Sequence, residues 1–143
     1  MKELTLCVCV ILALSGCGQP GYQLDVAQVC KDLHRVTNTN EIRIWLKTEI
    51  EACARDAPKL PEQIQLRELP PWINGVYGSS PPGAVLFLSP DATNSYIKLL
   101  WVHGRGMLGI MIGNEDFEPS LKTDDYFVLK CEPGLFVYSP KRY

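Results

Sequence analysis

The chain has 143 residues, a formal net charge of −2, 46% hydrophobic and 21% charged residues. That balance excludes a disordered chain, offers no basic surplus for a nucleic-acid partner, and contains no run of ~18–20 apolar residues for a conventional spanning helix. One compact domain is the expectation at this length.

Residues 1–16 read as an export signal. Lys2 and the terminal amine give a small positive start, partly offset by Glu3, and Leu4 to Leu14 is apolar apart from Thr5. Ser15 and Gly16 are small and precede Cys17. An apolar core of about 7–15 residues that ends in small residues is a secretory signal, not an anchor helix. The competing reading is a buried N-terminal strand or core helix. Leu14-Ser15-Gly16-Cys17 resembles the lipobox of bacterial lipoproteins. The resemblance covers the leader alone and implies three things. Cys17 receives a diacylglyceryl group, the chain is cut just before it, and the new amine is acylated. It also implies a bacterial cell envelope location, lipid-anchored to the membrane. In a Gram-negative cell that is the outer membrane, because Gly18 stands where a retaining aspartate would. Each buried methylene contributes ~0.8 kcal/mol to such an anchor, so several chains on one residue hold the protein firmly. Residues 17–22 form a short turn-prone tether reaching at most ~18 Å.

Loss of the leader removes Cys7 and Cys9, and leaves Cys30, Cys53 and Cys131 beside the lipidated Cys17. In an oxidising compartment disulfides persist. Three thiols give one intramolecular bridge and one free thiol, or an intermolecular bridge. A buried cysteine also serves simply as a small hydrophobe.

Residues 23–143 form a single α+β domain in three parts. Over residues 23–57, Val26, Val29, Cys30 and Leu33 recur at helical spacing. Thr37-Asn38-Thr39-Asn40 supplies turn and capping residues, with Thr39 or Asn40 as the cap of a second helix. On that helix Ile42, Trp45, Leu46, Ile50 and Cys53 form an apolar stripe, and Pro58 ends it. The short connection predicts an antiparallel helical hairpin. If both helices are straight and paired, Cys53 lies ~10 Å along the axis from the residue opposite Cys30. That is beyond the Cα span of about 4.4–6.8 Å a disulfide needs. Cys131 with either of the two is at least as good a pairing.

Residues 58–83 are a connector holding six of the eleven prolines. Pro61 is placed to start a short helix over Glu62 to Leu69. Trp72 and Tyr77 are either exposed recognition residues or plugs laid over the core. Residues 84–143 read as strands: 85–88, 96–102, 107–112, 126–131 and 135–138, joined by tight turns around 90–94, 104–106 and 132–134. The expectation is an antiparallel β-meander with the helical hairpin covering one face.

The chemistry-bearing motifs are sparse. Gly104, Gly106 and Gly109 spell GxGxxG after a strand, but strand and not helix follows, so no nucleotide-binding cradle is expected. His103 with Arg105 and a nearby carboxylate, Glu115 or Asp116, is the one candidate catalytic group, for a small periplasmic hydrolase. No nucleophile-elbow pattern accompanies it. Glu115-Asp116 and Asp124-Asp125 lack the order of a calcium loop. No Cys–His spacing suits a metal and no cofactor is expected. The favoured reading is a non-enzymatic envelope module that binds another envelope protein through Trp72, Tyr77 or the Met107–Met111 hairpin.

Overall fold

The computed structural model describes residues 25–56, 63–77, 80–90, 93–103 and 106–141. The leader, Cys17 and the tether lie outside these residues. Helix α1 spans Val26–Val36. The Asp25 carboxylate caps it, accepting from the amides of Ala27 at 3.0 Å and Gln28 at 3.2 Å. This satisfies donors that have no intrahelical partner. His34 and Arg35 in its last turn suit the negative end of the helix dipole. Helix α2 spans Thr39–Asp56. Its cap is Asn38, whose Oδ1 accepts from the Glu41 amide at 3.0 Å. The cap therefore falls a residue or two earlier than the sequence suggested. Only Thr37 and Asn38 join the helices. Their main contacts are with other elements: α1 lies on β5, β6 and a 3-10 turn, and α2 on β4.

The sheet has six strands, β1 (Gln63–Gln65), β2 (Gly83–Phe87), β3 (Tyr96–His103), β4 (Gly106–Ile112), β5 (Tyr126–Glu132) and β6 (Leu135–Pro140). Every pairing is antiparallel and the spatial order is β1-β2-β3-β4-β6-β5. An α+β fold with helices first and an antiparallel sheet after them is what the composition of the segments implied. The first four strands follow one another as a meander. The last hairpin is laid in with its second strand against β4, so β5 becomes the outer edge.

One correction concerns the connector. The helix anticipated over Glu62 to Leu69 is absent among the described residues, and Gln63–Gln65 instead pairs with β2. Ile64 is half-buried and Leu66 buried, whereas Gln63 and Gln65 are exposed. Residues two apart share a strand face but diverge on a helix, so this alternation fits the sheet edge. The 3-10 turn, Pro71–Gly75, follows. Pro71 starts it with its fixed φ and no amide to satisfy. Ile73 is fully buried, and Gly75 stands so close to Val36 of α1 that a Cβ would lie 2.8 Å from the Val36 methyl.

The sheet buries both faces. On the first, Leu86, Leu99, Trp101, Leu108, Ile110 and Val137 meet Leu33 of α1, Ile42 and Leu46 of α2, and Ile73. A disulfide between Cys30 and Cys131 ties α1 to β5 here, with Cα atoms 5.8 Å apart and a sequence separation of 101. Of the pairings left open by the sequence, this is the one formed. Cys53 is outside any disulfide and is half-buried against the same core. The second face carries Met111, Phe136 and Tyr138, covered by residues 113–125, which cross it as a strap without regular structure. Phe117 from the strap stacks on Tyr96 at 4.8 Å, and Tyr96 stacks on Phe87 at 4.6 Å. Gly109 allows this packing, because any Cβ there would sit inside the Tyr138 ring.

Candidate binding cleft

An apolar concavity lies at one end of the sheet, between α2 and two loops. Arg43, Leu46, Lys47, Ile50 and Glu51 supply the helix wall, and Thr93, Asn114 and Glu115 supply the other. The cleft encloses about 430 Å³. That is the size of a small-ligand or side-chain pocket.

Each wall is fixed by local structure. Thr93 belongs to the β2–β3 connection, which is closed by the Ser89 amide donating to Ser95 Oγ at 2.9 Å. The Asn114 side-chain amide donates to the Thr93 carbonyl, tying the two loops together. Asn114 is positioned from beneath by the β5–β6 turn. Gly134, at φ +76°, packs against the Asn114 backbone, and its carbonyl accepts from the Gly113 amide at 2.8 Å. A side chain at Gly134 would collide with that backbone and strain the φ angle as well.

Across the cleft mouth Arg43 Nη1 meets Glu115 Oε1 at 2.7 Å, with the acid mostly exposed. Lys47 and Glu51 pair along the helix at 3.8 Å. Asn114 Oδ1 is buried without a hydrogen-bond partner. The cleft thus offers apolar area inside a rim of paired charges. That composition suits recognition of an apolar side chain.

The residues singled out from sequence take varied positions. Trp72 is half-buried and meets Trp45 edge-on at 5.7 Å, and Tyr77 meets Trp101 edge-on at 6.4 Å. Both behave as plugs on the first core with one edge outward. Met107 is half-buried and Met111 only 6% exposed, so Met111 is a core residue of the isolated domain. The side chain of His103 and the whole of Arg105 lie outside the described residues. The backbone places His103 at the β3–β4 tip, opposite Gly106, while Ile97 and Ile112 pair at the other end of the ladder. Glu115 and Asp116 follow that far end, so about 20 Å of strand separates them from His103. The grouping of His103 with either acid is therefore corrected. Glu115 serves Arg43 instead.

A polar cluster not anticipated from sequence sits beside the disulfide. Glu132 accepts from the Thr39 hydroxyl at the start of α2, and His34 Nδ1 lies 3.5 Å from its other oxygen. One carboxylate at the end of β5 thereby joins both helices to the sheet. No short-range sequence signal could have linked positions 34, 39 and 132.

Among the described residues, no group of three or more His, Cys, Asp or Glu is placed to hold a metal ion. No helix among them is long and apolar enough to cross a membrane. Comparison of the chain with known family models, curated proteins and solved structures finds no match.

Proposed function

We propose that the chain is an exported lipoprotein, anchored through acylated Cys17 to a membrane of the bacterial envelope, whose domain is a non-enzymatic module that binds another envelope protein. In a Gram-negative cell the membrane is the outer one. The observation that carries this reading is the pairing of a lipobox leader with the Cys30–Cys131 bridge behind it. Such a bond persists in exported proteins and is rare in a reducing cytosol. The α2 cleft supports the binding half of the reading. It offers apolar lining and charge-paired rim residues, the composition of a small protein-recognition pocket with a polar margin. The half-exposed edges of Trp72 and Tyr77 are further candidate contacts.

The anchor is tested by Cys17→Ser. Incorporation of labelled palmitate should vanish and the protein should leave the membrane fraction. Continued labelling would sink the assignment. The binding module is tested by crosslinking in intact envelopes with the lipidated protein as bait. A partner whose capture is lost in Ile50→Asp, at a partly buried cleft residue, is the expected result. Turnover of a small substrate with no captured protein would reverse the reading.

A further inference from the structure

We infer that a second copy of this chain pairs along β5, antiparallel and about a twofold axis through Val128, so that the sheet continues from one protomer into its partner.

The free margin of β5 follows from its pairing with β6. Tyr126 stands opposite Pro140 and Phe127 opposite Ser139. One step further back in the same register, the Lys141 amide donates to the Asp125 carbonyl at 2.9 Å. Hydrogen-bonded pairs alternate along an antiparallel ladder, so the backbone groups of Phe127 and Leu129 also face β6. Those of Tyr126, Val128 and Lys130 face outward. The Tyr126 amide is already used, donating to the Lys122 carbonyl at 3.2 Å. Among the described residues, nothing bonds to the Val128 and Lys130 amides or to the carbonyls of Tyr126, Val128 and Lys130. A bare edge of this kind is a template for another strand. The opposite edge, β1, has only three residues. There the Leu66 amide donates to the Ala84 carbonyl at 2.9 Å, so Gln65 beside it faces outward.

Register and charge make β5 a match for itself. With Val128 opposite its own copy, the Val128 amides and carbonyls bond reciprocally. Each Lys130 amide then reaches the partner's Tyr126 carbonyl, and the occupied Tyr126 amide is not needed. The Lys130 carbonyl is left to water. Each Lys130 side chain lies across from a Tyr126 ring, a favourable cation–aromatic neighbour. Its own charge is met within the protomer by Glu118 at 2.5 Å, so it does not guard the edge as an unpaired lysine would. Moving the axis to Leu129 makes as many bonds, but it draws the two lysines together. It also forces pairing across the irregularity between Lys130 and Glu132. A pairing this short is small against the ~800 Å² per partner of a stable complex, so the dimer forms and parts with concentration.

The test follows the full chain in a mild detergent across a concentration series, by sedimentation and by residue-resolved hydrogen exchange. The mass should double as concentration rises, and exchange at the Val128 and Lys130 amides should slow with it by about tenfold or more. Val128→Pro removes an amide that the single copy does not use. It should remain a monomer with α1 and β4 amides still protected. Gln65→Pro makes the same change at the β1 edge and should dimerise like the parent. A parent chain that is monomeric at every concentration overturns the inference, as does a Val128→Pro variant that still dimerises. So does a dimer in which the Val128 and Lys130 amides exchange freely, because the copies then meet elsewhere. Protection of both amides in the monomer would mean that the chain covers its own edge, and also overturns it. If Val128→Pro does not fold, the amides of the parent chain decide alone.

Discussion

The two faces of the sheet are built differently. One is aliphatic, covered by two helices and a 3-10 turn, and held by a covalent bond. The other is aromatic, covered by a strap of irregular chain, and held by ring stacking and ion pairs such as Lys130–Glu118 at 2.5 Å. Helices satisfy their own backbone, so their removal exposes only side chains. The strap has few internal hydrogen bonds and depends on Phe117 staying in place. The first face should open only with the whole domain, while the second should open locally.

Four predictions sharpen or break this contrast. The largest effect belongs to Cys30→Ala with Cys131→Ala. The closed loop of ~100 residues implies a loss of about 4–5 kcal/mol, read by urea unfolding against the oxidised protein. A loss below about 1 kcal/mol would show that α1 is held by packing alone. Next comes Phe117→Ala, with a loss of about 3 kcal/mol. Hydrogen exchange should show strap amides deprotected while α1 and α2 stay protected. Simultaneous loss in the helices would mean that the two faces act as one unit.

Tyr138→Phe follows. The hydroxyl is buried without a partner, so its removal should be neutral or stabilising by up to ~1 kcal/mol. Burial, then the neighbouring Tyr126 and Tyr96, push the Tyr138 hydroxyl well above the usual tyrosine value of 10.0. The folded state then holds this proton more tightly than the unfolded chain. Its contribution is intact below pH ~10 and is lost as pH rises above that. The Phe variant should show a flatter alkaline limb in pH-dependent melting. The smallest effect is at Arg43 and Glu115, which join a helix of the first face to the strap of the second. A double-mutant cycle with Ala should give a coupling of ~0.2–1 kcal/mol that shrinks in high salt.

Local signals in the sequence identified most elements. The spacing of Val26, Val29, Cys30 and Leu33 marks α1, and the turn residues around 90–94, 104–106 and 132–134 separate the strands. What failed was short or non-local. The three-residue β1 was masked by Pro61, whose helix-starting signal competes with the alternation of Ile64 and Leu66. The placement of β6 beside β4 was illegible, because a hairpin turn dictates the pairing of its own strands and says nothing of a third neighbour. The α2 cleft was hidden for a like reason: positions 43–51, 93 and 114–115 meet only after the sheet forms. The resemblance of Leu14-Ser15-Gly16-Cys17 to a lipobox is the ground for the proposed anchor, and it carries no information about the domain that follows.

The interior position of β6 has a consequence for how the molecule is made. Until Leu135–Pro140 arrives, β4 has a bare outer margin and β5 has nothing to lean on. A nascent chain stopped short of this strand is left with an incomplete sheet, and Cys131 without the support that brings it to Cys30. Commitment to the native state is thereby postponed to a late moment of synthesis. On the export route proposed above, that delay would keep the chain pliable until it has passed through a secretion channel.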